Sequence, residues 1–152
     1  MNLLQPLALA PRAHRVTARD WVDELARLPM FAGLGRRELR KLAGQARFEW
    51  FQPGDDVVVF GAHADSLFVI LAGSARARGK RATRTLTRGD FFGEMSLIGR
   101  RRSATVVATS ELNVMLLPQP IARELLQRHP QLGFEILEKL GQRLMNVEQT
   151  AA

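Results

Sequence analysis

The chain has 152 residues, a length that suits one domain with its own hydrophobic core. Its hydrophobic share of 46% and charged share of 24% are ordinary for a soluble globular protein, and no apolar run is long enough to span a bilayer. The absence of cysteine excludes disulfides and thiolate chemistry and is consistent with a cytoplasmic location, while the net charge of +7 indicates either a solvated basic surface or an anionic partner.

The N-terminal part of the chain predicts an arm followed by two helices. Residues 1–16 contain two prolines and little periodicity, which predicts a flexible arm. Thr17 is typical of a helix N-cap, and Pro29 ends the helix that follows it. Apolar residues recur at helical spacing in that helix at Trp21, Leu25 and Leu28. A second short helix completes a helical segment that we assign to residues 17–45.

From residue 46 to 117 the chain predicts a β-roll. Short apolar runs alternate there with Gly, Pro and Asp turn signals. Strands are predicted over 48–51, 56–60, 67–71, 74–78, 83–86, 105–108 and 112–117. Many short strands at this spacing are typical of a jelly-roll, also called a double-stranded β-helix. The predicted fold class is therefore α+β and mainly β, a roll with N-terminal helices, one short helix inside it and two C-terminal helices.

One segment, residues 92–106, interrupts the strands and carries the strongest functional signal. Gly93 allows a backbone to approach a ligand closely, and the first N–H groups of a helix over 94–98 have no intrahelical partner and can face an anion. Arg102 supplies a permanent charge and a planar donor fork suited to phosphate oxygens. Glu94 would repel a phosphate but can accept hydrogen bonds from sugar hydroxyls. The segment therefore predicts a site for a phosphate with an adjacent ribose.

Two C-terminal helices are predicted over 118–147, separated by Pro130, with a tail over 148–152. Apolar residues lie four apart along the last helix at Leu132, Ile136, Leu140 and Leu144. This stripe favours core packing or a homodimer seam over a ligand lid. The opening methionine and the Thr-Ala-Ala ending favour an intact short protein.

The motifs of the roll carry a family resemblance. Residues 92–98 read Phe-Gly-Glu-Met-Ser-Leu-Ile and residues 102–106 read Arg-Ser-Ala-Thr-Val. In these residues the chain resembles the cyclic nucleotide-binding domain family of cAMP receptor proteins, protein kinase A regulatory subunits and cyclic-nucleotide-gated channels, whose phosphate-binding cassette has this order. The segments 52–61, 66–73 and 88–93 are similar to the family's early hairpin, central strand and lead-in to the cassette. The resemblance implies one cyclic nucleotide-binding domain over 17–147.

The resemblance also implies a set of site residues. The predicted ligand-binding residues are Gly93, Glu94, Met95, Ser96, Arg102, Ser103 and Ala104. The predicted pocket walls, which could equally be ordinary core, are Phe92, Val69, Leu71 and Leu86. Family members cover the base with the C-terminal helix, which makes lid candidates of Leu140, Arg143 and Leu144.

The cassette departs from the family pattern in its spacer. Only Gly99, Arg100 and Arg101 precede Arg102, where the family most often has four residues and a proline in the place of Arg101. The register favours Arg102 as the phosphate ligand, but Arg101 could compete with it, or the site could be weaker. Ser103 does not decide between the two bases, and we favour cAMP over cGMP only because the chain is Arg- and Ala-rich, as in many bacterial proteins.

These observations predict a sensor rather than an enzyme. The three histidines have no metal-ligand spacing, and Glu94 has no visible partner carboxylate or nucleophile, so no metal, cofactor or catalytic residue is expected. The expected partners are a cyclic nucleotide and an unidentified effector protein or attached domain, without direct binding of nucleic acid. The alternatives are a degenerate roll that acts as a protein-interaction module, or the sensor fragment of a transcription regulator or ion channel.

Overall fold

The computed structural model describes residues 18–151, with side chains from 21 to 147. The predicted arm over 1–16 and the predicted N-cap at Thr17 lie outside the described residues. In chain order the elements are α1 (Ala18–Ala26), a 3₁₀ turn (Pro29–Phe31), α2 (Arg36–Gln45), β1 (Arg47–Phe51), β2 (Asp56–Val58), β3 (Ser66–Ala72), β4 (Ser74–Arg78), β5 (Thr83–Thr87), β6 (Phe91–Phe92), a 3₁₀ helix (Glu94–Ile98), β7 (Thr105–Ala108), β8 (Leu112–Pro118), α3 (Gln119–Arg128) and α4 (Pro130–Ala151).

The predicted roll with flanking helices is confirmed, with two differences. Strand β6 has only two residues, too few to show the alternation by which strands are predicted from sequence. Helix α4 continues to Ala151, past the predicted end at residue 147, because no glycine or proline lies in 148–151 to stop it.

The strands form two four-stranded antiparallel sheets, in the orders β1-β8-β3-β6 and β2-β7-β4-β5. Inward-facing residues of both sheets meet in one apolar cluster inside the roll, whose largest members include Phe68, Ile70, Leu86, Phe92 and Leu112. A second cluster lies between the first sheet and the helices. The cassette, the 92–106 segment, connects β6 of the first sheet to β7 of the second, so it lies where the two sheets meet.

Strand β3 is apolar on both faces because each face covers a different cluster. Phe68 and Ile70 point into the roll, whereas Val69 and Leu71 belong to the cluster beneath the helices. Val69 and Leu71 were predicted as pocket walls, and that prediction is wrong because they lie on the opposite face of the sheet. A strand buried on both sides gives no polar alternation from which the inward face could be read.

The helices cover the outer face of the first sheet. Leu25 of α1 and Leu39 of α2 are buried there, and the ring of Trp21 stacks on that of Phe48 at 4.0 Å between centroids. Helix α4 buries Leu132 and Ile136 near its start, so its early turns are fixed by the same cluster. This packing directs the later turns of α4 towards the cassette.

A tight turn at Gly73 connects β3 to β4 and gives a test of the fold. Gly73 has φ +88°, and a Cβ there would lie 1.9 Å from the Glu111 carbonyl oxygen. Gly54 has nearly the same backbone, with φ +90°, but a Cβ there meets nothing within 4 Å.

We therefore expect Gly54→Ala to lower the free energy of unfolding by about 1–2 kcal/mol through backbone strain alone. Gly73→Ala should cost roughly 1–3 kcal/mol more, because the backbone of the 110–111 turn must also move. Urea denaturation of both variants measures the difference. Equal losses would show that the close approach of Glu111 is not a constraint on the turn.

Candidate functional site

A cavity of about 410 Å³ opens between the β4–β5 hairpin, the cassette and the last turns of α4. Its lining is formed by Ala77, Gly79, Lys80, Arg81, Ala82, Thr83, Arg84, Glu94, Ser103, Ala104, Arg143, Asn146 and Val147. The volume lies in the range of small-molecule sites, roughly 300–1,000 Å³. A smaller recess of about 20 Å³ lies beside it, deeper under the cassette.

The 3₁₀ helix Glu94–Ile98 sits between two left-handed glycines, Gly93 at φ +79° and Gly99 at φ +69°. The amide of Ser96 donates to the Gly93 carbonyl at 3.1 Å, so it is engaged within the turn. The Ser96 hydroxyl is buried and has no hydrogen-bond partner. Of the three amides predicted to face an anion, the turn therefore leaves those of Glu94 and Met95 as candidates.

Arg102 is folded beneath the cassette and is only 6% exposed. Its Nη1 donates to the carbonyl of Ser66 at 2.9 Å and to that of Gly93 at 3.4 Å. Its Nη2 lies 3.7 Å from Asp65 Oδ1, and the guanidinium lies over the Phe68 ring, 5.2 Å from its centroid. Burial lowers the pKa of Arg102, and Asp65 and then Glu94 oppose that shift. The guanidinium reaches the recess but does not line the larger cavity.

Gly93 makes the burial of Arg102 possible. A Cβ at this position would lie 2.5 Å from Arg102 Nη1 and 2.9 Å from the Ser66 carbonyl oxygen. The sequence predicted that this glycine admits a ligand. In the structure the space that a side chain would take is occupied by the Arg102 guanidinium, so Gly93 admits an internal cation.

Glu94 and Arg143 connect the cassette to α4. Arg143 Nη1 lies 3.6 Å from Glu94 Oε1, and both side chains are largely buried. Arg143 Nη2 donates to the Phe91 carbonyl at 2.8 Å, and its guanidinium lies over the Phe91 ring, 4.5 Å from the centroid. Burial lowers the pKa of Arg143, as does the nearby Arg84, and Glu94 and Asp90 oppose the shift.

The other predicted ligand residues divide between the two cavities. Ser103 and Ala104 line both of them, whereas Met95 and Phe92 line only the recess. Leu86 lies in the roll cluster and lines neither cavity. These positions bring most of the predicted cassette residues together around one space.

The lid candidates on α4 separate in the structure. Arg143 lines the cavity, Leu140 packs against the cluster beneath the helices, and Leu144 is 60% exposed. The cavity is instead closed by Asn146 and Val147, three and four residues after Arg143. That spacing defines one helix face, and it could have identified both residues once Arg143 was chosen. The prediction chose Leu140 and Leu144 instead, because they belong to the apolar stripe on the neighbouring face of the helix.

Arg101, the predicted competitor of Arg102, lies elsewhere. Its Nη1 donates to the Gly61 carbonyl at 3.0 Å on the exposed side of the cassette, and it lines neither cavity. Arg84 was not predicted at all, although it lines both cavities. Arg84 could have been identified from the sequence, because it alternates with threonines and shares the inward face of its strand with Leu86.

Two further surface findings bear on partners. Helix α4 exposes a set of large apolar side chains, Phe134, Leu137, Leu144 and Met145. The stripe for which a homodimer seam was predicted lies mostly elsewhere, because Leu132 and Ile136 are buried in the cluster beneath the helices and Leu140 packs against it. Of its four residues Leu144 belongs to the exposed set, and a homodimer through α4 stays a prediction. Across residues 18–151 no helix is both long and apolar enough to span a bilayer, and no cluster of acidic, histidine or cysteine side chains is placed to hold a metal ion.

Comparisons with known proteins agree with this geometry. A family model described as a cyclic nucleotide-binding domain matches residues 48–129. Similar curated proteins are glutaminase 1 of Bradyrhizobium diazoefficiens, 32% identical over 80% of this chain, and the cAMP-dependent protein kinase regulatory subunit of Hypocrea atroviridis, 31% identical over 71%. The potassium/sodium hyperpolarization-activated cyclic nucleotide-gated channel 3 of Homo sapiens is 42% identical over 55% of the chain. The chain spans only 20%, 24% and 11% of the length of these three proteins.

Solved structures show the same fold. The structure "cAMP bound PfPKA-R (141-441)" has a TM-score of 0.67 and 24% identity, covering 88% of this chain and 45% of that one. The catabolite activator protein of Thermus thermophilus has a TM-score of 0.66 and 26% identity, covering 80% of this chain and 60% of that one.

The contacts of Arg102 predict that it supports the fold as well as the site. Arg102→Ala removes the buried guanidinium donor to the Ser66 carbonyl and one of the two donors to the Gly93 carbonyl, which should lower the free energy of unfolding by about 1–3 kcal/mol. The matched control is Arg101→Ala, whose side chain makes one exposed hydrogen bond and whose loss should change stability by less than about 0.5 kcal/mol. Urea denaturation measures both, and an Arg102→Ala variant as stable as the control would contradict a structural role.

Proposed function

This chain belongs to the cyclic nucleotide-binding domain family, and we propose that it is a sensor without catalytic activity that binds a cyclic nucleotide in the cavity between the cassette and α4. The favoured ligand is cAMP, with cGMP as the alternative. The observation that carries the proposal is that Glu94, Ser103 and Ala104 of the cassette share one cavity with Arg143 of α4.

The chemistry of the lining assigns each part of the ligand to a side of the cavity. The cyclic phosphate binds at the cassette end, where the Glu94 and Met95 amides and the Arg102 guanidinium surround the recess. The hydrogen bonds of Arg102 to the Ser66 and Gly93 carbonyls use Nη1, and Nη2 lies 3.7 Å from Asp65 Oδ1, so an anion in the recess would share Nη2 with that carboxylate. Glu94 accepts hydrogen bonds from the ribose. The base then lies towards Val147, the apolar member of the α4 face that closes the cavity.

Regulation follows from the position of Glu94. The ribose and Arg143 compete for the same carboxylate, so ligand binding changes how α4 is held against the cassette. This change in α4 is what an effector protein or an attached domain would detect. A ligand shifts such an equilibrium only by the difference in its affinity for the two arrangements.

One observation favours a second candidate, a degenerate roll that serves as a protein-interaction module. The recess under the cassette has a volume of only about 20 Å³, which is room for about one water molecule. A phosphate can enter only if Arg102 or the 3₁₀ helix shifts. The shortened spacer of three residues before Arg102 is consistent with such a constriction.

Calorimetric titration with cAMP and with cGMP distinguishes the two candidates. We expect the wild-type chain to bind at least one of them, and Glu94→Gln to bind it about ten-fold or more weakly, since a hydrogen bond to a charged group contributes about 1.5–3 kcal/mol. Glu49→Gln is the control, because Glu49 pairs only with the exposed Arg47 on β1. Absence of heat and of thermal stabilisation at millimolar concentrations of both nucleotides would eliminate the sensor proposal and favour the interaction module.

A second measurement tests the connection between the cassette and α4. Arg143→Ala removes the donor to the Phe91 carbonyl and the contact with Glu94, so the last described turns of α4 should exchange their amide hydrogens roughly five-fold faster, for a net loss of about 1 kcal/mol. Lys139→Ala, one turn earlier on the same helix, is the control, because the Lys139 ammonium makes looser contacts with the same segment, 3.8 Å from Asp90 Oδ1 and 5.8 Å from the centroid of the Phe91 ring. Equal exchange in the two variants would contradict a specific role of Arg143.

A further inference from the structure

Arg84 occupies a position that the β-roll reserves for apolar side chains. Strand β5 reads Thr-Arg-Thr-Leu-Thr, and its three threonines are exposed, so Arg84 and Leu86 share the inward face. Leu86 is buried in the roll cluster, and the residue paired opposite Arg84 on β4 is the buried Ala77. Burying a cation on this face costs free energy unless a counter-ion pairs with it. A cation without such a partner therefore indicates a role other than packing.

No counter-ion for Arg84 is found among the residues that the structure describes. Arg84 forms no salt bridge there, and its Nε is buried without a hydrogen-bond partner. Two carboxylates close to the site are engaged with other guanidinium groups, Asp65 with Arg102 and Glu94 with Arg143. An unpaired guanidinium on an inner strand face lowers stability, which points to a ligand as the missing partner.

The position of Arg84 relates it to the phosphate end of the proposed site. It lines the 410 Å³ cavity and also the recess that Gly93, Arg102 and Ser103 line. Arg102 reaches only the recess, and Asp65 offsets part of its charge. Arg84 is therefore the cation that faces both spaces.

The charges around the larger cavity favour an anion strongly. Its lining carries four cations and one carboxylate, namely Lys80, Arg81, Arg84, Arg143 and Glu94. Arg84 lies close enough to Arg143 for the two like charges to disfavour each other. An anion bound between them would relieve that repulsion, and a cavity of one sign of charge concentrates such ligands.

We propose that Arg84 of strand β5 binds the phosphate of the ligand, as a second cation that acts with Arg102. This inference rests on the proposed function, because it assigns a further residue to the same site. With Arg102 held under Gly93 by the Ser66 and Gly93 carbonyls, a cation from the facing sheet completes the neutralisation of the phosphate.

The test compares Arg84→Gln, Arg84→Lys and the control Arg76→Gln, which alters a cation on the exposed face of the neighbouring strand β4, outside both cavities. Each variant and the wild type are titrated calorimetrically with cAMP and with cGMP, and their thermal unfolding is measured without ligand. We expect Arg84→Gln to lose about ten-fold or more in affinity, by the same factor for both nucleotides because they share the phosphate. Arg84→Lys should recover part of this loss, and Arg76→Gln should bind within about three-fold of the wild type.

The unfolding midpoint separates a ligand role from a structural one. Removing an unpaired charge from an inner strand face should leave the midpoint of Arg84→Gln unchanged or raise it. A lower midpoint together with weaker binding would assign Arg84 to the fold and overturn the proposal. So would wild-type affinity in Arg84→Gln, equal losses in the Gln and Lys variants, or a loss confined to one base. If the wild type binds neither nucleotide, the proposed function fails and this inference with it, whereas the other negative outcomes leave the proposed function standing.

Discussion

The burial of one guanidinium under one glycine is the interaction on which the rest of the site depends. Arg102 bonds to the carbonyls of Ser66 and Gly93, which lie at the start of β3 and at the start of the cassette turn. Because Arg102 joins these two backbone segments, it fixes the distance between the 3₁₀ helix and strand β3. A Cβ at position 93 would lie within 3 Å of Arg102 Nη1 and of the Ser66 carbonyl oxygen, so Gly93 and Arg102 form one structural unit.

This unit is connected to α4 through two adjacent phenylalanines. Phe92 points into the roll and stacks on Phe68, which carries Arg102 on its ring. Phe91 points the other way, into the cluster beneath the helices, and its ring and carbonyl hold Arg143. A shift of the cassette therefore reaches both clusters, because alternate residues of β6 lie on opposite faces of the sheet. The path from the site to α4 is short and consists of direct contacts.

The sequence predicted the parts of this structure that local patterns specify. The predicted strands and the cassette turn are encoded by alternation and by glycines at fixed offsets, and they form within a residue or two of their predicted bounds, whereas the two-residue β6 was not predicted. The inward face of β3 was not predictable, because Val69 and Ile70 are equally apolar and equally buried. Arg84 and Val147 were missed for another reason: each carries a signal on its own element, but the cavity that they share forms only when the roll brings a strand and a helix together.

A stable roll needs apolar side chains on its inner strand faces, whereas a cavity that binds an anion needs cations there. On an inner strand face, buried apolar side chains such as Ala75 and Ala77 stabilise the fold, whereas a cation such as Arg84 lowers the free energy of unfolding. Arg102 does not lower stability in this way, because two carbonyls and Asp65 surround its guanidinium. The same contacts leave fewer of its donors free to bind a ligand. A site that must bind an anion needs at least one cation whose bonds are incomplete within the protein. Among the described residues that line both spaces, the guanidinium that meets this condition is that of Arg84 on β5. In the proposed site the charge of the anion is therefore balanced by Arg102, which also supports the fold, and by Arg84.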